Sequence, residues 1–203
     1  MPKERSKIYG VGINDSTYPP RIHEQVNGKV VIVWACPIFI TWKDMMKRCY
    51  SEAYHKKRPS YKDCTVCEEW WSFSNFHKWA RDRIGVDHKG RKLQLDKDLL
   101  VEGNTVYSPN TCVFISTEVN NFLGNVSKNS GSLYLEKRDV YQAFCKDPFD
   151  RYSKFLGDFS TEEEARKKYW EVKLEYLDEL YLNSRIPYKL YFIMRRRLEK
   201  NAL

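Results

Sequence analysis

Leu93-Gln-Leu-Asp-Lys-Asp-Leu-Leu100, a turn at Glu102-Gly-Asn104, Val106-Tyr-Ser-Pro-Asn-Thr-Cys-Val-Phe-Ile115 and Ser116-Thr-Glu-Val-Asn-Asn-Phe-Leu123 follow one another in the middle of the chain. The first run alternates as a strand does, and the second reads as a turn leading into another strand. Ser116 can cap a short helix over 117–123. The order is strand, loop, strand, helix. A two-layer unit of this kind needs an acid on the first strand and a second ligand on the helix to hold one hard divalent cation, and Asp96 and Asn120 occupy those two places.

Outward from this segment, the opening Tyr9-Gly-Val-Gly-Ile-Asn-Asp-Ser16 is turn-rich, and Lys29–Trp34 is β-branched enough for a strand. Residues 39–54 fit a helix ending before Pro59, Tyr61–Cys67 reads as extended, and a helix is expected over 72–84. Trp70, Phe73, Phe76 and Trp79 recur at helical spacing, the mark of a core-facing stripe. Residues 125–132 are polar and form a linker. Beyond it, 132–138, 140–146 and 152–159 read as short strands, followed by a Ser160/Glu163 capping box. The helix it opens should run to about Asn183 with Ala165, Tyr169, Val172, Tyr176 and Leu180 on one stripe, and the tail after Pro187 is one more helix. The fold class expected is α+β. Residues 1–125 make an N-terminal ββα module, and residues 126–203 make a three-stranded sheet with one packed helix.

Thirty-five Lys and Arg against twenty-seven Asp and Glu give the 203-residue chain a charge of +8, an excess that attracts polyanions. No run is long and apolar enough to cross a membrane, and no signal or transit peptide opens the chain, which points to the cytoplasm. The six cysteines are then expected to be free thiols. Cys64-Thr-Val-Cys67 has the spacing of half a zinc knuckle, but no second pair follows, so no structural zinc is expected. Gly10-Val-Gly12 lacks the further glycine of a dinucleotide-binding loop.

Leu95-Asp-Lys-Asp98, Tyr107-Ser-Pro109 and Asn120-Asn-Phe-Leu-Gly-Asn125 resemble the HNH (ββα-metal) endonuclease pattern. With Gly10–Asp15, Trp42–Tyr50 and Val66–Phe76 in that order, the chain is similar to the HNH endonucleases of bacteriophages. The segment from Phe155 to Tyr169 resembles the AP2-like DNA-binding domains often fused to them. The resemblance implies hydrolysis of phosphodiester bonds in double-stranded DNA, inside a bacterial host cell. Asp96 and Asn120 would hold Mg2+ or Mn2+, and Arg48 or Lys97 would add positive charge. Tyr134, Lys137, Arg138, Tyr141 and Arg151 would read the major groove, and Arg195, Arg196 and Arg197 would meet phosphate.

The family's general base is a histidine immediately after the strand aspartate, and here that residue is Lys97. Lysine takes no proton from water unless its pKa falls by several units. Tyr50, Tyr61, Tyr107, His77 and His88 remain as bases, and Val86-Asp87-His88 offers a rival placement of the Asp-His pair. Two other readings stay open. One is a DNA-binding protein without catalysis, acting as a regulator or an antagonist of host defence. The other is a protein-binding module using the acidic residues Glu68 and Glu162–Glu164. Either is compatible with a homodimer.

Overall fold

The computed structural model describes residues 7–123, 131–150 and 152–202. It is a mixed α and β chain whose compact units are Met1–Phe114 and Ile115–Leu203. Sequence reading sets a boundary at residue 125, whereas the compact units divide at 114/115. The helix after the second strand of the expected ββα module thus belongs to the second unit. No helix among the described residues is long and apolar enough to cross a membrane.

The first unit opens with two antiparallel strands, β1 (Arg21–Val26) and β2 (Lys29–Ala35). They are joined at Asn27-Gly28, both with positive φ (51° and 76°), as a two-residue primed turn requires. Helices α1 (Pro37–Tyr50) and α2 (Glu52–Lys57) follow, separated at Ser51, whose side chain accepts the Tyr54 amide and starts α2 afresh. Strand β3 (Thr65–Val66) pairs in parallel with β5 (Val106–Tyr107), and β4 (Gln94–Asp96) pairs with β6 (Val113–Ile115). Between them the 3-10 turn Glu68–Trp71 and α3 (Phe73–Ala80) together carry the aromatic stripe.

That stripe is core. Trp70, Phe73 and Phe76 of the stripe are fully buried together with Trp42 of α1, Trp79 is partly buried against them, and Trp42 Nε1 donates to the Trp70 carbonyl at 2.7 Å. The rings meet edge-on or tilted, as their quadrupoles favour. Gly12 serves packing, since a Cβ there would lie 2.9 Å from the Trp42 ring, whereas Gly10 serves a turn with φ 77°. Asp15 then reaches across the sequence, accepting the Ser72 hydroxyl at 2.6 Å and the Ser74 amide at 2.8 Å, and so anchors the start of α3.

The second unit contains α4 (Thr117–Leu123), the antiparallel sheet of β7 (Ser132–Leu135), β8 (Val140–Lys146) and β9 (Ser153–Phe159), then α5 (Glu162–Leu182) and α6 (Tyr188–Ala202). Ser116 caps α4 as expected, accepting the Val119 amide at 3.2 Å. The capping box sits one residue later than expected, on Thr161 and Glu164. The extended backbone leaving β9 continues through Thr161 (φ −131°, ψ 154°), so the cap falls there. All five residues expected on the α5 stripe are buried, and α5 packs on β8. The expected linker lies largely outside the described residues.

Candidate metal and nucleic-acid site

Asp96 closes β4 with its carboxylate half-buried. The amides of Asp98 and Leu99 donate to its Oδ1 at 3.0 and 2.7 Å, so the side chain fixes the turn that ends the strand. Burial and the neighbouring Asp98 nevertheless hold this carboxyl above the usual aspartate range, outweighing the two amides. A cation bound there would reverse that preference.

Lys97 leads in another direction. Its Nζ donates to Asp98 Oδ2 at 3.2 Å and to the Asn104 carbonyl at 3.0 Å. Asn104 returns the tie, its Nδ2 donating to the carbonyls of Lys97 (2.6 Å) and Val106 (2.7 Å). Burial alone would lower the Lys97 pKa, but Asp98, Cys64 and Asp96 together raise it. The group therefore stays an ammonium and supplies charge, with no capacity to take a proton from water at neutral pH. Sequence reading missed Asn104; the only signal was its place in the Glu102-Gly-Asn turn.

Tyr107, on β5, is buried against Arg48 of α1. Burial pushes its hydroxyl far above the usual phenol range even though the Arg48 guanidinium hydrogen-bonds it. Arg48 is itself held cationic, the partly buried guanidinium being favoured by Tyr107, Tyr61 and Tyr54 around it, and it also lies over the Tyr61 ring at 5.9 Å. Tyr50 is committed to the backbone, its hydroxyl accepting the Val66 amide at 3.0 Å. His77 packs edge-on against Phe73 and Tyr18. Of the residues expected at the site, Arg48 and Lys97 both act on Cys49, and Asp96 acts on Cys112, whose field in turn reaches Cys49. One neighbourhood thus holds Arg48, Asp96, Lys97 and Tyr107. Burial pushes the thiols of Cys49 and Cys112 up to about 12, and all six cysteines are free.

The rival pair Asp87-His88 is built differently. Asp87 accepts the Lys89 and Arg91 amides at 2.8 and 2.9 Å, and Arg91 Nη2 lies 2.7 Å from its Oδ2. Partial desolvation would raise this carboxyl, but the Arg91 and Lys89 bonds lower it to about 2. Its carboxylate organises its own loop, with His88 exposed beside it.

In the second unit Asn120 lies half-buried on α4. On the sheet, alternation puts Tyr141 on the face of Ala143 and Cys145 with its cross-strand partner Tyr134, whose hydroxyl donates to Asp139 at 2.7 Å. Arg138 is instead paired with Asp158 at 2.7 Å, which also accepts Gln142 Nε2 at 2.8 Å. Lys137 is exposed in the turn, and Arg151 lies outside the described residues. Arg138 and Tyr141 therefore lie toward different faces of the sheet. Arg195 is tied to Asp178, Tyr191 and Glu199, bracing α5 against α6, whereas Arg196 is exposed and stacks over Phe192 at 4.5 Å. Arg197 is half-buried.

No protein-family model, curated protein or solved structure matches this chain. Among the described residues no group of three or more His, Cys, Asp or Glu side chains is assembled to hold a metal. A sparse oxygen set suits Mg2+, which keeps most of its waters and takes one or two protein carboxylates plus phosphate. The half-buried Asp96 carboxylate, held above the usual aspartate range by burial and Asp98, fits such a cation.

Proposed function

We propose that this protein is a metal-dependent endonuclease of the HNH type acting on double-stranded DNA. The observation that carries the reading is Asp96: a half-buried carboxylate at the end of a paired strand, oriented by its own turn beside Asp98. A bound Mg2+ or Mn2+ would stabilise charge growing on the phosphate and on the leaving 3′-oxygen. Lys97 and Arg48, both held cationic in the same neighbourhood, attract and orient the DNA backbone. The sequence pattern gives the second ligand to Asn120. With Lys97 an ammonium and Tyr107 a firmly protonated phenol, the task of activating water falls to another group, of which His88 and Tyr61 are candidates.

The same ammonium favours a second reading, a DNA-binding protein that has lost cleavage and acts as a regulator or host-defence antagonist. Supercoiled plasmid incubated with the protein and Mg2+ or Mn2+ separates the two. Cleavage by wild type that falls at least ~1,000-fold in Asp96→Ala, by analogy with loss of a catalytic group, supports the nuclease. Retarded but uncut DNA, with affinity falling steeply as salt rises, supports the second reading. No retardation at low salt removes both.

A further inference from the structure

The β1–β2 ribbon pairs with no other strand among the described residues, yet it turns its apolar side chains outward. Val30, Val31, Ile32, Val33 and Trp34 follow one another along β2, each between 38% and 67% exposed, and Ile22 and Val26 of β1 are equally open. Spread over the two faces of the ribbon, they expose on the order of 600 Å² of apolar side chain. A two-stranded ribbon is marginal in water, and an open apolar strand edge is a template for another strand.

The two edges of the ribbon differ. β1 reads Arg-Ile-His-Glu-Gln-Val and guards its edge with charge; β2 carries no charged residue from Val30 to Ala35. We propose that the open edge of β2 pairs antiparallel with β2 of a second copy, making a four-stranded sheet across a two-fold axis.

The strand's own chemistry selects this partner. Every two-fold register centred between Val30 and Ile32 sets Lys29, the strand's only cation, opposite an uncharged residue, so the pairing is free of like-charge contact. Edge pairing extends the backbone ladder along β2, and the apolar side chains, which alternate between the ribbon's two faces, then meet apolar cross-strand neighbours on each face. Nucleic acid fits poorly, because nothing between Val30 and Ala35 can neutralise a phosphate.

Sedimentation velocity of the full chain across roughly 1–200 μM, spanning micromolar association, tests this without DNA or metal, so its outcome is separate from that of the nuclease assay. Wild type should move toward twice the 24.3 kDa chain mass. Val31→Thr with Ile32→Thr, which keeps strand propensity and an unchanged circular dichroism spectrum, should weaken association at least ~10-fold. Glu24→Gln on β1 should leave it unchanged. A single-chain mass at every concentration overturns the proposal. So does a dimer indifferent to the β2 substitutions, open-ended aggregation, or transfer of the intact monomer to lipid vesicles.

Discussion

The two compact units solve the problem of a small core in opposite ways. The first is filled with rings and sulfur, Trp42, Trp70, Phe73, Phe76, Met45 and Met46, and no charged residue among its described ones is buried as a whole. The second buries a charged side chain: Lys173 of α5 is 4% exposed, with its Nζ 3.9 Å from the centre of the Phe122 ring and 6.0 Å from that of Tyr169. No other polar or charged residue among the described ones is buried as a whole. An aromatic core loses stability when a ring is removed; a core holding an ammonium gains when the charge is removed. Stability in the second unit is thereby linked to pH in a way the first is not.

The sharpest break is Trp42→Ala. It deletes a fully buried indole and leaves the Trp70 carbonyl without its donor, so denaturant unfolding should show a loss of about 3–5 kcal/mol. A loss under about 1 kcal/mol would mean that the ring core does not hold the first unit together.

Lys173→Met probes the opposite case. Burial lowers the Lys173 pKa to about 8, with Cys145 opposing and Lys146 adding to the effect. The unfolded chain then binds the proton more tightly than the folded one, so wild-type stability should rise with pH between about 8 and 10. The methionine variant should lack that rise and be more stable at pH 7 by roughly 1–3 kcal/mol. Thermal unfolding against pH checks both. A variant less stable than wild type at pH 7 would show that the ring contacts outweigh the buried charge.

The smallest expected effect is at the rim of the first unit. Burial alone would raise the Asp15 carboxyl, but the Ser72 hydroxyl and Ser74 amide bring it below the usual range. Its contribution is present above the unfolded pKa and lost as pH falls through the folded one. Asp15→Ala should cost about 1 kcal/mol at pH 7, as loss of a cap does, and less in acid. Equal loss at pH 7 and pH 3 would assign the effect to packing.

Much of this was legible from pattern. Alternation and helical spacing gave the three strands and long helix of the second unit, and the Trp70–Trp79 stripe reads as core because only burial rewards four rings at that spacing. Other features turned on single contacts. The expected strand over 93–100 shortens to Gln94–Asp96 because the Asp96 side chain captures the amides of Asp98 and Leu99 and ends it. Lys97 looked like a vacancy where a base should stand; Asn104 and Asp98 make it a fixed cation.

By itself the sequence determined the mixed α and β character, the caps at Ser116 and near Thr161, and which stripes are apolar, since each follows from short-range spacing along the chain. Only the tertiary structure decided that Asp15 holds α3, that Arg195 is consumed in bracing two helices, and that β2 is left uncovered. Those outcomes depend on which distant groups meet and on how far water is excluded when they do, and neither is written in local order.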